Sequence, residues 1–239
     1  MTQPILIIKN ITREGPGILQ ALLEEGAIAY QAVDLEKGES FPDPSDYSAI
    51  VVLGGPDSAN DETEKMRNEL QKIREVIELG KPYLGICLGL QALVKATGGK
   101  VVKNPTKEVG FIDPEGGNFK IQLTETGQSD PLFRGLADNF KVFHLHGETV
   151  EIKGSMTLLG TGKFCKNQIV KISPNAYGIQ CHFELTTEMF DVWVNEDPDL
   201  LVLNKEKLKN DFEAIKKEYD EVGKKLFLNF LKIAGFLRP

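Results

Sequence analysis

Tyr83-Leu84-Gly85-Ile86-Cys87-Leu88-Gly89-Leu90-Gln91 joins an apolar strand pattern to an apolar helix pattern across a single cysteine. A chain that passes from strand to helix this abruptly makes a sharp turn with a strained central residue. The positions two before and two after that residue leave no room for side chains. Gly85 and Gly89 stand at those two positions. The Cys87 sulfur is then expected at the carboxyl end of a central strand, beside the first free amides of a helix. Those amides and the helix dipole favour a thiolate over a thiol. A free cysteine is most often a small buried hydrophobe, but the strand-turn-helix setting marks Cys87 as a nucleophile. Cys165 and Cys181 lack that setting and read as structural.

Upstream of the turn, strands and helices alternate. Ile5 to Lys9 is a short branched apolar run, followed by a Gly-Pro-Gly turn at 15–17 and a helical pattern from Ile18 that stops at Gly26. Tyr30 to Leu35 reads as a second strand. Ala49 to Leu53 is a third, continuously apolar as in a sheet covered on both faces. Asp61 with Glu64 resembles a capping box ahead of the stripe Met66, Leu70, Ile73 and Ile77, which Gly80 and Pro82 end. Tyr83 to Cys87 is a fourth strand and Leu88 to Ala96 a helix closed by Gly98-Gly99. This β-α-β-α order predicts a parallel sheet with crossover helices.

Downstream, short strands are expected at 109–112, 119–123, 140–145, 157–160 and 168–172, forming antiparallel ribbons attached to the same sheet. Tyr177 to His182 is one more strand, and the chain turns helical after Thr186. Leu208, Phe212, Ile215, Tyr219, Val222 and Leu226, spaced 4, 3, 4, 3 and 4, form a seam. It is too short for a coiled coil and predicts a helix packed on its own chain. No repeat or long linker interrupts residues 1–239, so a single domain is expected, with about 200–239 as a helical extension packed on it.

A cysteine nucleophile needs a base held by a third group. Of the three histidines, His182 follows the strand Gly178-Ile179-Gln180-Cys181, and Glu184 lies two residues beyond. Along an extended chain i and i+2 point the same way, so Glu184 reaches one imidazole nitrogen while the other faces Cys87. His144 and His146 also share a strand face, but the sequence offers no further ligand at suitable spacing, and no metal site is expected. A tetrahedral intermediate on Cys87 needs two amide donors. The amide of Leu88, first after the nucleophile, is one; Gly55 in the Leu53-Gly54-Gly55-Pro56 turn supplies the other.

These segments together resemble the class I (triad) glutamine amidotransferases. The residues that carry the resemblance are Leu53-Gly54-Gly55-Pro56, Gly85-Ile86-Cys87-Leu88-Gly89-Leu90-Gln91 and Gly178-Ile179-Gln180-Cys181-His182-Phe183-Glu184. Glu14-Gly15-Pro16-Gly17, the run Gly54 to Glu62, and Val142 to Glu148 are similar to the stand-alone members that look like the amidotransferase part of GMP synthase. The resemblance implies a flavodoxin-like α/β fold, with a mixed, mostly parallel central sheet flanked by helices. It implies Cys87 as nucleophile, His182 as general acid/base and Glu184 as its orienter, with oxyanion amides from Gly55 and Leu88. Gln91, Leu145, His146 and Gly147 would line a glutamine pocket. The implied reaction releases ammonia from glutamine through a thioester, without a cofactor, for an acceptor carried by a separate synthetase chain. Two other readings use the same residues: a γ-glutamyl peptide hydrolase, and a binding module that has lost turnover. Cysteine-elbow hydrolases and chaperone-like proteins would place an acid before the cysteine and the histidine elsewhere.

One departure stands out. The family's usual Pro between His and Glu is Phe183 here, and Cys181 replaces a customary aromatic. Proline would fix the backbone there, so Phe183 predicts a freer Glu184.

Composition agrees with this class of protein. With 28 basic against 35 acidic residues the net charge is -7, the opposite of a phosphate-tracking nucleic-acid binder. No apolar run approaches a bilayer span, and the start Met1 to Lys9 lacks the basic n-region and long apolar stretch of a signal peptide. Three cysteines cannot build a disulfide framework. A cytoplasmic, membrane-free chain is expected.

Overall fold

The computed structural model describes residues 3–238; the outermost residues of the expected domain, 1, 2 and 239, lie outside the described residues. The first half alternates β1 (Ile5–Lys9), α1 (Gly17–Glu25), β2 (Tyr30–Asp34), β3 (Ala49–Val52), α2 (Glu64–Glu78), β4 (Tyr83–Ile86) and α3 (Leu88–Ala96). Then come β5 (Lys100–Gly110), β6 (Lys120–Leu123), α4 (Glu125–Ser129), β7 (Asn139–Lys141), β8 (His144–Glu151), β9 (Thr157–Gly162), β10 (Ile169–Ser173) and β11 (Ala176–Ile179). The chain finishes with α5 (Thr187–Glu196), α6 (Pro198–Leu201) and α7 (Lys205–Ile233).

The main sheet runs β2-β1-β3-β4-β11-β10-β9-β6-β7. Its first five strands are parallel and the rest antiparallel. Parallel strands must be covered on both faces, and β3 and β4 are buried at every position, as their uninterrupted apolar runs require. On one face α2 and α3 pack Met66, Ile73, Leu90 and Leu93 over Ile50 and Val52. On the other, α1, α5 and α7 close over Ile7, Val51 and Ile86 with an aromatic cluster. In that cluster Phe111 stacks on Phe212 at 5.2 Å between centroids, and Phe190 meets both edge-on. Each such buried side chain contributes about 1.5–3 kcal/mol relative to exposure. Among the described residues no helix is long and apolar enough to cross a membrane.

Three expectations need correction. The ribbon β5–β8 does not join the main sheet but stands as a separate two-stranded sheet. Its register breaks between Lys103 and Glu108, around Pro105, which has no N–H to give to a ladder. The charged alternation from Lys100 to Glu108 hides this strand, so the predicted 109–112 catches only its end. Thr63, not Asp61, caps α2: its hydroxyl accepts the Met66 amide at 3.1 Å, while Asp61 turns back to accept the Ser58 amide at 3.0 Å. The last parallel strand stops at Ile179, and His182 instead bridges Phe143, donating its amide to that carbonyl at 3.0 Å.

The seam from Leu208 to Leu226 is buried on the chain's own core, and α7 contacts α1 and β7. It also reaches the segment after β11: Tyr219 Oη donates to the His182 carbonyl at 2.9 Å and accepts the Leu185 amide at 3.3 Å. The core role of α7 is measurable. Phe212→Ala is expected to lower unfolding free energy by about 3–5 kcal/mol in urea denaturation, with the slope unchanged.

Candidate active site

The turn between β4 and α3 has the backbone that its sequence demands. Cys87 sits at φ 52° and ψ −106°, one of two non-glycine residues at positive φ among the described residues. A methyl group on Gly85 would strike the Gly89 carbonyl, and one on Gly89 would strike the Val52 carbonyl. Neither position admits a side chain. The turn is pinned by the Cys87 amide, which donates to Ile179 O at 2.7 Å, and by Tyr83 Oη, which donates to Gly89 O at 2.8 Å.

Because β11 lies beside β4, the residues after β11 face the elbow. His182 Nδ1 is 2.6 Å from Glu184 Oε1, both side chains buried. The Cys87 side chain and the same imidazole line one cleft. Burial alone would depress the histidine, but Glu184 and then Cys87 outweigh it and hold His182 well above the usual histidine range. Phe183 does the opposite of what the sequence suggests: its amide donates to Glu184 Oε2 at 2.9 Å. A proline has no such donor, so the departure from the family's pattern ties the carboxylate down. The Phe183 ring is buried against Phe140 and Tyr219.

A cleft of about 280 Å³ opens over Cys87. It is lined by Gly55, Gln91, Leu145, His146, Gly147 and His182, together with charged residues of both signs that include Arg13, Lys107 and Glu148. Leu88 opens α3, so its amide has no intrahelical acceptor. Gln91 is held by its own bonds, Nε2 donating to Glu148 O at 3.3 Å and to Gln180 Oε1 at 3.4 Å. Gln180 in turn donates to the Cys87 sulfur at 3.7 Å. Cys165 and Cys181 are buried away from this cleft, and burial pushes the Cys165 thiol up to about 11 and that of Cys181 well above its ordinary value.

His146 is engaged on two sides. Nδ1 donates to Glu148 O at 2.9 Å, and Nε2 lies 2.8 Å from Glu108 Oε2. Glu108, His144 and His146 form a buried group whose ligand atoms all lie within 4.8 Å of one another. The sequence reading finds no third ligand because Glu108 arrives from β5, whose strand pattern is obscured. Gln168 Nε2 also donates to Glu108 Oε2 at 2.9 Å, and we assign no cation to the group.

Several residues absent from the sequence reading brace the site. Asn10 Nδ2 donates to Leu53 O at 3.2 Å and to Glu69 Oε1 at 3.1 Å, and Lys65 Nζ donates to Asn10 O at 3.0 Å. Helix α2 thus props both the loop after β1 and the Leu53–Pro56 turn. A polar residue inside the apolar stripe, Glu69 between Met66 and Ile73, was the available signal.

A cysteine on a strained strand-helix elbow and a histidine-carboxylate pair carried in after the adjacent parallel strand thus face one cleft of an α/β fold. The chain belongs to the class-I glutamine amidotransferase family, whose model matches residues 18–196. It is 32% identical over 157 residues to the glutamine amidotransferase-like protein YfeJ of Salmonella typhimurium, with 63% of each chain covered. It is also 32% identical over 145 residues to the glutamine-hydrolyzing GMP synthase of Thermosipho melanesiensis, covering 60% of this chain and 25% of that one. The chain therefore spans less than two thirds of either relative's length. Its fold matches a glutamine amido transferase from Methylobacillus flagellatus with a TM-score of 0.86 at 24% identity, covering 98% and 96% of the two chains. A glutamine amidotransferase from Thermotoga maritima gives 0.85 at 25% identity, covering 98% and 99%.

Burial raises the Glu69 carboxyl from 4.5 to about 7, against the Asn10 bond and Lys65. Between those two values the unfolded chain ionises while the folded one keeps its proton, so this group makes stability fall as pH rises and level off above about 7. Glu69→Gln keeps the acceptor for Asn10 and removes the fall. Denaturant unfolding at pH 5 and pH 8 is expected to show the variant gaining on wild type at the higher pH, by at most about 3 kcal/mol.

Proposed function

We propose that this chain is a glutaminase of the class I amidotransferase type, hydrolysing the side-chain amide of L-glutamine to glutamate and ammonia. The observation that carries the reading is the buried His182–Glu184 pair at 2.6 Å set against a cysteine at φ 52° that opens into a small polar cleft.

The Cys87 sulfur attacks the amide carbon, and the carbonyl oxygen becomes an oxyanion received by the backbone amides of Gly55 and Leu88. His182, held as imidazolium by Glu184, gives its proton to the departing nitrogen, and ammonia leaves. The glutamyl thioester remains on Cys87. His182, now neutral, takes a proton from water as the water adds to the thioester carbon; collapse frees glutamate and returns the Cys87 thiolate beside the restored imidazolium. Gln91, Leu145, His146 and Gly147 border the substrate. A volume of about 280 Å³ lies at the low end for ligand pockets and suits an amino acid. Its mix of charges suits a zwitterion. No cofactor enters the scheme.

The relatives named GMP synthase are glutamine-hydrolyzing. By analogy, the ammonia made here is passed to an acceptor on a separate synthetase chain. Lys107 and Asp199, which pair with each other, form part of the cleft lining.

Ammonia release from glutamine is expected from the wild-type chain, and Cys87→Ala is expected to reduce it by at least about 1,000-fold. An unchanged rate in that variant refutes the reading. A hundredfold preference for γ-glutamyl dipeptides over glutamine would move the assignment to a peptide hydrolase. Failure of a glutamine-like electrophile to label Cys87, read by mass spectrometry, would favour a binding module.

A further inference from the structure

Glu14 belongs to the loop between β1 and α1, yet its carboxyl enters the cleft. The residue is 3% exposed, and its Oε2 is buried without a hydrogen-bond partner. An acceptor left this way works against the stability of the fold, and nothing in the loop's own architecture explains it. Gly54 shows where the group points. A methyl group there would collide with Glu14 Oε2, while lying 3.0 Å from His182 Cε1 and 3.4 Å from Cys87 Cβ. Three side chains thus converge on the space that Gly54 leaves open. Glu184 takes the Nδ1 edge of the imidazole, and Glu14 faces its Cε1 edge.

We propose that Glu14 is a positioning residue for the glutaminase chemistry, a second carboxylate that stabilises His182 as imidazolium from the Cε1 side, next to the Nδ1 that Glu184 takes. The assignment rests on the reading of His182 as the acid/base group given above. A carboxylate in a buried site a few ångströms from an imidazolium interacts far more strongly than it would in water.

The same burial makes the group responsive near neutrality. Desolvation raises Glu14 from 4.5 to about 7, with His182 lowering it, Glu184 raising it, Arg13 lowering it and Asp197 raising it. These groups come from every side that faces the carboxyl: Arg13 from its own loop, His182 and Glu184 from the segment after β11, and Asp197 from the turn before α6. Cys87 faces it from the elbow. Arg13 does not neutralise it, because its Nη2 is bonded to Asp197 Oδ2 at 2.6 Å. Above about pH 7 Glu14 is ionised and supports the imidazolium; below, it is protonated and the support is lost.

Glu14→Gln, nearly isosteric, separates charge from packing. Glutamine hydrolysis by the variant is expected to fall about 10–20-fold in kcat at pH 8, with KM little changed, and no more than about threefold at pH 6. Wild-type kcat should rise through an ionisation near pH 7 that the variant lacks and Glu14→Asp retains. Equal losses at pH 6 and pH 8 would overturn the proposal and leave a packing role. A second readout does not depend on turnover. In NMR titrations of the wild-type chain, the His182 ring resonances should show a step centred near pH 7 that Glu14→Gln abolishes. If the wild-type ring shows no such step, the inference fails even where Cys87-dependent ammonia release succeeds. If the step is present but ammonia release is absent, only the glutaminase reading fails.

Discussion

The backbone at Cys87 is the constraint around which the molecule is arranged. A non-glycine residue held at φ 52° and ψ −106° costs on the order of 1–3 kcal/mol and persists only where its surroundings leave no alternative. Here the surroundings are two packed faces of a sheet. Val52 of the neighbouring strand crowds Gly89, Ile179 of the other neighbour accepts the Cys87 amide, and Tyr83 ties down the Gly89 carbonyl. With β3 and β11 flanking β4, the sulfur can emerge only at the carboxyl edge of the sheet. The segments leaving β1, β3 and β11 converge on that same edge, the usual binding crevice of an open α/β sheet.

What surrounds the sulfur is a set of loops, each held by something distant in sequence. Helix α2 steadies the segments after β1 and β3 through Glu69 and Asn10. The ribbon β5–β8 carries the Leu145–Glu148 wall, fixed by Glu108 against His146. The final helix fastens the His182–Leu185 segment through Tyr219, and it lies beyond the residues that match the family model. The site therefore concentrates buried carboxyls, Glu14, Glu69, Glu108 and Glu184, in an interior that disfavours charge. Such a concentration is what stability alone would remove and what acid-base chemistry requires.

Much of this was legible along the chain. Continuous apolar runs marked β1, β3 and β4, because a strand covered on both faces cannot hide its character. Gly85-Ile86-Cys87-Leu88-Gly89 marked the elbow, because only glycine tolerates the approach of the flanking backbone. The i, i+2 spacing of His182 and Glu184 was enough to pair them, since both lie on extended chain. The β5–β8 ribbon was obscured by its charged alternation and by Pro105. Phe183 was misjudged because a backbone amide leaves no trace in a residue's side-chain character, and that amide is what secures Glu184.

By itself the sequence determined the alternation of elements, the strained turn and the identity of the residues proposed to carry the chemistry. These follow from local sterics and short-range periodicity, which act between near neighbours. Only the tertiary structure decided that Glu14 enters the cleft and that Glu69, Glu108 and Tyr219 brace the segments around it. Their placement depends on which strand lies beside which and on how far each loop reaches, and such contacts between remote residues have no period in the sequence.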